Sequence, residues 1–334
     1  MASKPIVRVI GTGGTIASVT SSRLDLTLYP ETGHRILIKE SLDRVPEVNE
    51  LAEIRSEDLM SEASTFIGPS QWPRIARHIN KVFREEPEVD GIVLTHGTGT
   101  MEETAYFLQL TVKSSKPVVM TGAMRPASAL GTDADLNLYN AIRVAAHPDA
   151  SGRGVLVVLN NQIHSGRDVT KTDPLHVETF KDYDMGLLGY ADPDGEVVFY
   201  RSTVRKHTTA TPFDVEQIES LPRVDIVSSY AGSDALLVEA VRRNGSAGLV
   251  LAGVGGGSVE SPGPKAAMEA MKEGMTVALA SRTANGRVVM TPGKERDGFI
   301  VADNLLPHKA RILLMLALTV TKDRKAIQKM FYEY

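Results

Sequence analysis

Short apolar runs alternate with segments of helical period along nearly the whole chain. In the first half the runs Ile6 to Ile10, Gly91 to Leu94, Pro117 to Thr121 and Val155 to Leu159 predict strands. Between them, Gln71 to Phe83, Thr104 to Thr111 and Asn137 to Ala146 carry the spacing of helices. A second set begins with strand candidates Val224 to Ser228, Gly248 to Ala252 and Val277 to Ala280. Its helices are expected over Asp234 to Arg243, Pro264 to Lys272 and His308 to Thr319. Such alternation is the signature of a parallel sheet with helices on both faces. The expected fold is α/β: a larger N-terminal, doubly wound, mainly parallel-sheet domain over residues 1–204, and a smaller C-terminal α/β domain over 224–334. The linker is expected over 205–223, where Lys206-His207-Thr208-Thr209-Ala210-Thr211-Pro212 is polar and weakly periodic.

At 334 residues the chain is long enough for two such domains. With a net charge of −4 and no lysine- or arginine-rich block, neither a nucleic-acid nor a membrane-surface partner is expected. No apolar run approaches the ~18 residues of a membrane span. The chain has no cysteine, which excludes disulfides, a thiol nucleophile and cysteine-ligated metal. Met1-Ala2-Ser3-Lys4-Pro5 leads straight into the first strand and resembles no signal peptide. The expectation is a cytoplasmic protein; an exported protein given a new start methionine would look the same.

In open parallel sheets ligands sit beyond the carboxyl ends of the strands, so the turns there carry the candidate chemistry. After Gly91-Ile92-Val93-Leu94 comes Thr95-His96-Gly97-Thr98-Gly99-Thr100, then a helical pattern from Glu102. A hydroxyl residue between glycines, ahead of a helix N-terminus, presents that hydroxyl beside backbone amides. The first strand ends in a similar turn, Gly11-Thr12-Gly13-Gly14-Thr15-Ile16-Ala17. A dinucleotide fingerprint fits it poorly, because the third glycine would fall at Ile16 and no clear βαβ unit follows. Instead Ser18 to Gly33 is polar and reads as a loop. Two threonines on two such turns suggest covalent catalysis, and a threonine hydroxyl needs a neighbouring base. Lys171 is one candidate, since burial can lower a lysine's pKa. By spacing alone it reads first as a surface lysine paired with Asp168 or Asp173. His96, a single histidine beside a turn, reads as structural.

Gly11-Thr12-Gly13-Gly14-Thr15-Ile16-Ala17, the His96-Gly97-Thr98 turn with Met101-Glu102-Glu103-Thr104, and Gly122-Ala123-Met124-Arg125-Pro126 together resemble the bacterial L-asparaginase and glutaminase-asparaginase family. So do Gly166-Arg167-Asp168-Val169-Thr170-Lys171-Thr172, Arg205-Lys206-His207-Thr208, Pro212-Phe213-Asp214-Val215 and Lys309-Ala310-Arg311. The resemblance covers nearly the whole chain and is closest to the periplasmic-type enzymes. It implies hydrolysis of a side-chain amide through an acyl-threonine intermediate, with no metal and no cofactor. It further implies a homotetramer, a dimer of tight dimers, with each site between one subunit's first domain and its partner's second. Thr15 matches the nucleophile, Tyr29 the residue that polarises it, Thr98 the second catalytic threonine and Lys171 its basic partner. Ser64 matches the ligand of the substrate's α-carboxylate and Ala123 a backbone carbonyl that accepts from the leaving amide. Thr65, Gly97, Gly99 and Ser258 stand with these as substrate-binding positions.

The chain departs from the family at three places. Gly99 replaces an aspartate that binds the substrate's α-ammonium, a charge-assisted contact worth ~1.5–3 kcal/mol. The segment Val288 to Asp297 is shorter than its counterpart and lacks the family's second ammonium ligand, with Glu295 the nearest carboxylate. Ser258 stands where the asparaginases carry asparagine and the glutaminase-asparaginases tend to carry serine. All three surround the α-amino end of the substrate. The leading expectation is an amidohydrolase acting on L-asparagine and possibly L-glutamine. One alternative is an amidase with the same machinery acting on a small carboxamide without the ammonium; another is a non-catalytic ligand-binding protein with a vestigial site.

Overall fold

The apolar run near the start of the chain forms β1 (Ile6–Gly13), and the sheet of the first unit is built outward from it. The computed structural model describes residues 3–259 and 262–334, and the chain divides into two units, Met1–Ala210 and Thr211–Tyr334. The remaining strands of the first unit are β2 (Glu53–Glu62), β3 (Val89–Thr95), β4 (Val118–Thr121), β5 (Val155–Leu159), β6 (Gln162–Ser165), β7 (Gly189–Ala191) and β8 (Val197–Phe199). They lie in the order β8-β7-β6-β5-β4-β3-β1-β2. From β2 to β5 all neighbours are parallel, and β6, β7 and β8 continue the sheet antiparallel.

Alternation along the strands sends successive side chains to opposite faces. Val7, Val9, Val93 and Val119 enter one buried cluster with Leu138, Ala141 and Ile142 of helix α3 (Ala134–Ala145). Helices α1 (Trp72–Glu85) and α2 (Met101–Thr111) pack on each other, with the Trp72 and Phe107 rings stacked at 5.5 Å. Nearly every residue of α2 is buried, which is why its sequence shows little amphipathic contrast.

The second unit holds four parallel strands, β9 (Val224–Ser228), β10 (Gly248–Gly253), β11 (Thr276–Ser281) and β12 (Ile300–Val301). Its longer helices are α4 (Leu236–Arg243), α5 (Gly263–Lys272), α6 (Pro307–Val320) and α7 (Arg324–Glu333). Leu249, Leu251, Val277 and Leu279 pack there against Val238, Ala267 and Ala270.

Two features go beyond the sequence expectation. Strand β2 reads Glu-Ile-Arg-Ser-Glu-Asp-Leu-Met-Ser-Glu and has no fully buried residue, because it is an edge strand. Charged side chains are common on such edges. The antiparallel extension begins at a two-residue turn, Asn160-Asn161, with φ of 50° and 62° at the two positions. Both values are those of the tight turn that suits a twisted hairpin, and asparagine tolerates them. Among the described residues no helix is long and apolar enough to cross a membrane.

Candidate active site

Strands β1 and β3 are parallel neighbours, with Ile10 opposite Leu94, so the turns at their carboxyl ends emerge side by side. The chain leaves β1 for β2 on one side and then returns to β3 on the other, which makes this a switch point of the sheet. Gly13 and Gly14 end β1 at φ of +96° and +84°, values that favour glycine. A Cβ on Gly14 would lie 2.4 Å from both the backbone nitrogen and the Cα of Gly97. The two hydroxyl turns therefore meet backbone to backbone. Thr12 Oγ1 donates to the Thr95 carbonyl at 2.6 Å, and the Gly14 amide to the Glu62 carbonyl at 3.0 Å.

Around the second turn every polar role can be assigned. His96 Nδ1 lies 2.8 Å from the Gly97 carbonyl, which can only accept, so Nδ1 carries the proton. Complete burial pushes the His96 pKa down to about 4, and the ring is neutral. Its Nε2 then accepts from the Thr104 hydroxyl at 3.0 Å, and Thr104 Oγ1 accepts from Trp72 Nε1 at 3.0 Å. His96 is thus a post supporting the turn, with both nitrogens occupied.

Thr98 is buried, and Lys171 Nζ lies 2.8 Å from its Oγ1. The lysine sits on a two-residue ladder, Thr170–Lys171 against Phe180–Lys181. Desolvation holds its pKa below the ordinary lysine value, opposed by the charges of Glu102 and Asp173. The Glu102 carboxylate also accepts the Lys171 amide at 3.2 Å. A lysine of lowered pKa in contact with a hydroxyl gives up its proton more readily and can then accept one from it. Glu102 was not singled out from the sequence. The available signal was an acidic residue in the first helical turn, four positions after Thr98.

Thr15 is half-buried and opens the short 3-10 turn Thr15–Ala17. Its Oγ1 lies 2.9 Å from the Tyr29 hydroxyl. The polar segment between them, expected as a loop, holds more structure than that. Ser18–Val19 pairs with His34–Arg35, and Tyr29 opens a helical turn, Tyr29–Thr32, with Pro30 behind it. The Asp25 carboxylate accepts the Leu28 amide at 2.7 Å just before that turn. Ala127 and Leu130 donate their amides to the carbonyls of Ser18 and Arg23, both at 2.8 Å.

The end of β2 completes the cluster. Ser64, in the 3-10 turn Ser64–Phe66, accepts from Thr100 Oγ1 through its carbonyl at 2.6 Å. A Cβ on Gly97 would lie 2.9 Å from Ser64 Cβ. One on Gly99 would lie 2.9 Å from Ser64 Oγ and meet nothing else within 4 Å. Gly99 has no positive φ, so its backbone does not require glycine. Thr65 beside Ser64 is exposed. Ala123 is fully buried after β4, and the preceding Gly122 abuts the second turn: its added Cβ would lie 3.3 Å from Thr98 Cγ2. The turn is held by the Asp133 carboxylate, which accepts the amides of Met124 and Arg125 at 2.9 Å each.

Thr15, Tyr29, Ser64, Thr65, Gly97, Thr98, Gly99, Ala123 and Lys171 all belong to the first unit, whereas Ser258 belongs to the second. Ser258 is exposed and closes a tight turn after β10, exchanging backbone hydrogen bonds with Val254 at 2.8 and 2.9 Å. Glu295 is exposed on the short helix Pro292–Arg296. Its neighbour Lys294 donates to the carbonyls of Gly256 and Val289, both at 3.1 Å. Among the described residues no group of three or more histidines or carboxylates is gathered closely enough to hold a metal ion.

Residues 6–205 match the family model for Asparaginase, N-terminal, and residues 223–331 the model for Glutaminase/Asparaginase C-terminal domain. The chain belongs to the asparaginase family. It is 43% identical to L-asparaginase 2 of Bacillus subtilis (strain 168), over 99% of this chain and 87% of that one. It is 39% identical to the glutaminase-asparaginase of Pseudomonas fluorescens biotype A, over 98% of this chain and 90% of that one. Among solved structures, the probable cytoplasmic L-asparaginase from Campylobacter jejuni superposes with a TM-score of 0.94 at 43% identity, covering 99% of this chain and 100% of that one. As an asparaginase-family hydrolase, this chain carries two threonine turns in mutual contact, one bonded to a tyrosine and the other to a half-buried lysine.

Proposed function

We propose that the protein hydrolyses the side-chain amide of L-asparagine, with L-glutamine as a second substrate, through an acyl-threonine intermediate. Thr15 Oγ attacks the amide carbon while Tyr29 polarises its hydroxyl. The carbon–nitrogen bond breaks, and nitrogen leaves as ammonia with the proton given up in the attack. Water then attacks the threonyl ester, with Thr98 and Lys171 managing its proton, and releases the acid and free Thr15. Ser64 takes the substrate's α-carboxylate, with Thr65, Gly97, Gly99 and Ser258 as further substrate-binding positions, and the Ala123 carbonyl accepts from the leaving amide. The observation that carries this reading is the 2.8 Å contact between Lys171 Nζ and Thr98 Oγ1 beside the Thr15–Tyr29 pair. The names of the relatives support the substrate class. The assembly that goes with it is a homotetramer, a dimer of tight dimers, in which the partner subunit's second domain supplies Ser258. A cytoplasmic location belongs to the same reading.

Gly99 favours a second reading, in which the substrate is a small carboxamide without the α-ammonium. Ammonia release from L-asparagine, L-glutamine and succinamic acid separates the two, with Thr15→Ala as the control. The control is expected to lose on the order of 10³-fold or more of kcat. A strong preference for L-asparagine over succinamic acid would sink the second reading. Equal activity of wild type and Thr15→Ala on every amide would sink both.

A further inference from the structure

We propose that the buried pair His164–Asp182 is a positioning device for Lys171, fixing against the main sheet the short hairpin that carries the lysine. The inference rests on the proposed role of Lys171 as the proton partner of Thr98.

The ladder bearing Lys171 is only two residues long, with Lys171 opposite Phe180 and Thr170 opposite Lys181. An isolated two-stranded ribbon of that length does not hold itself in place. Within it, the amide and the hydroxyl of Thr172 both donate to the Thr179 carbonyl at 2.8 Å, which closes the hairpin, while the Lys171 amide ties its first strand to Glu102 of α2 at 3.2 Å and leaves the second strand to be fixed. Directly after Lys181 comes Asp182, whose carboxylate is completely buried, with Oδ2 2.5 Å from His164 Nδ1. His164 lies on β6, opposite Val157 of β5. The pair therefore ties the hairpin to the sheet one residue beyond the strand that pairs with Lys171. The Asp182 carbonyl also accepts the amides of Met185 and Gly186, at 2.8 and 3.0 Å, and so turns the chain there.

The pair is a costly way to pin a loop. His164 Nε2 and Asp182 Oδ1 are buried with no hydrogen-bond partner among the described residues. Polar atoms left so destabilise the fold, and two apolar side chains would fill the same space without that cost. What an apolar contact lacks is direction. A short hydrogen bond to a carboxylate fixes the register of the hairpin, and through it the place from which Lys171 reaches Thr98. Misplacing a reacting group by about 1 Å can cost about 10²-fold in rate.

The test compares His164→Asn with His164→Gln in the full-length protein. Asparagine can place an N–H where Nδ1 stands, whereas glutamine reaches only the Nε2 end. His164→Asn is expected to keep kcat within about threefold of wild type. His164→Gln is expected to lose about 10- to 100-fold in kcat with KM changed by less than about twofold. Equal kcat in the two variants, whether both intact or both impaired, overturns the proposal, as does the reverse order. If either variant fails to fold, Asp182→Asn against Asp182→Ala repeats the comparison, asparagine being the variant expected to keep kcat. Lys171→Met is measured alongside. Undiminished activity there refutes the role of the lysine itself, whereas lost activity there with indistinguishable His164 variants refutes only the positioning.

Discussion

The two threonine turns are built differently although they touch. Thr98 is buried, and the turn beneath it is braced by a chain of hydrogen bonds from Trp72 through Thr104 and His96 to the Gly97 carbonyl. Its partner Lys171 is half-buried and held by desolvation below its ordinary pKa. Thr15 is half-buried and meets a tyrosine supplied by a polar segment tied down by hydrogen bonds to Ala127, Ser128 and Leu130. The contrast fits a division of labour. Proton transfer needs a desolvated, fixed site, whereas a nucleophile must be reachable by its substrate.

Removing the two partners measures that division most directly. Lys171→Met is expected to lower kcat by about 10²- to 10⁴-fold, the range of one acid–base group, and Tyr29→Phe by less. With the neutral amine as the proposed base, wild-type activity is expected to rise with pH through the depressed pKa of Lys171. The methionine variant lacks that rise. A pH–rate series on both variants checks this, and a larger loss in Tyr29→Phe would reverse the comparison.

The bracing of the Thr98 turn has its own pH signature. His96 is neutral in the native state, with a pKa of about 4 against the ordinary 6.5. Between those values the unfolded chain binds the proton and the native protein does not. Stability is therefore full above pH 6.5 and falls as the pH drops towards 4, by ~3 kcal/mol in all. His96→Gln removes the titrating group, and its unfolding midpoint in denaturant should be flatter across this window than that of wild type. Equal slopes would show that His96 does not titrate as described.

Smallest in expected size is the effect of Gly99→Asp. An added Cβ lies 2.9 Å from the Ser64 hydroxyl, a side-chain end that must rotate aside, and meets no backbone, so the turn should keep its shape. A carboxylate facing an ammonium is worth ~1.5–3 kcal/mol, so the ratio of kcat/KM for L-asparagine over succinamic acid should rise roughly 10- to 100-fold. An unchanged ratio would mean that position 99 does not face the α-amino group.

The parts of this arrangement that show in the sequence are those with a local cause. Val155 to Leu159 and Gly248 to Ala252 coincide with strands because they are buried between neighbours and read as apolar runs. Both threonine turns are visible from their glycines. Strand β2 is hidden by its charged edge, and the hairpin after β5 by the brevity of its strands, although Asn160-Asn161 marks its turn. The pairing of Lys171 with Thr98 spans 73 positions. No periodicity encodes such a contact, and only the family resemblance brought the two together in advance. The His164–Asp182 pair was not anticipated at all, since a histidine on a strand has no signature without its distant partner.

The glycine-to-glycine contact between positions 14 and 97 also bears on how this molecule can be changed. With a Cβ on Gly14 2.4 Å from the opposite backbone, no side chain at that position fits the observed conformation. A randomised library would therefore return glycine at 14 whatever activity was selected. Position 99, two residues further along the same turn, faces only the movable Ser64 hydroxyl and no backbone. Selection for a new substrate would find its variation there, on a support that cannot itself vary.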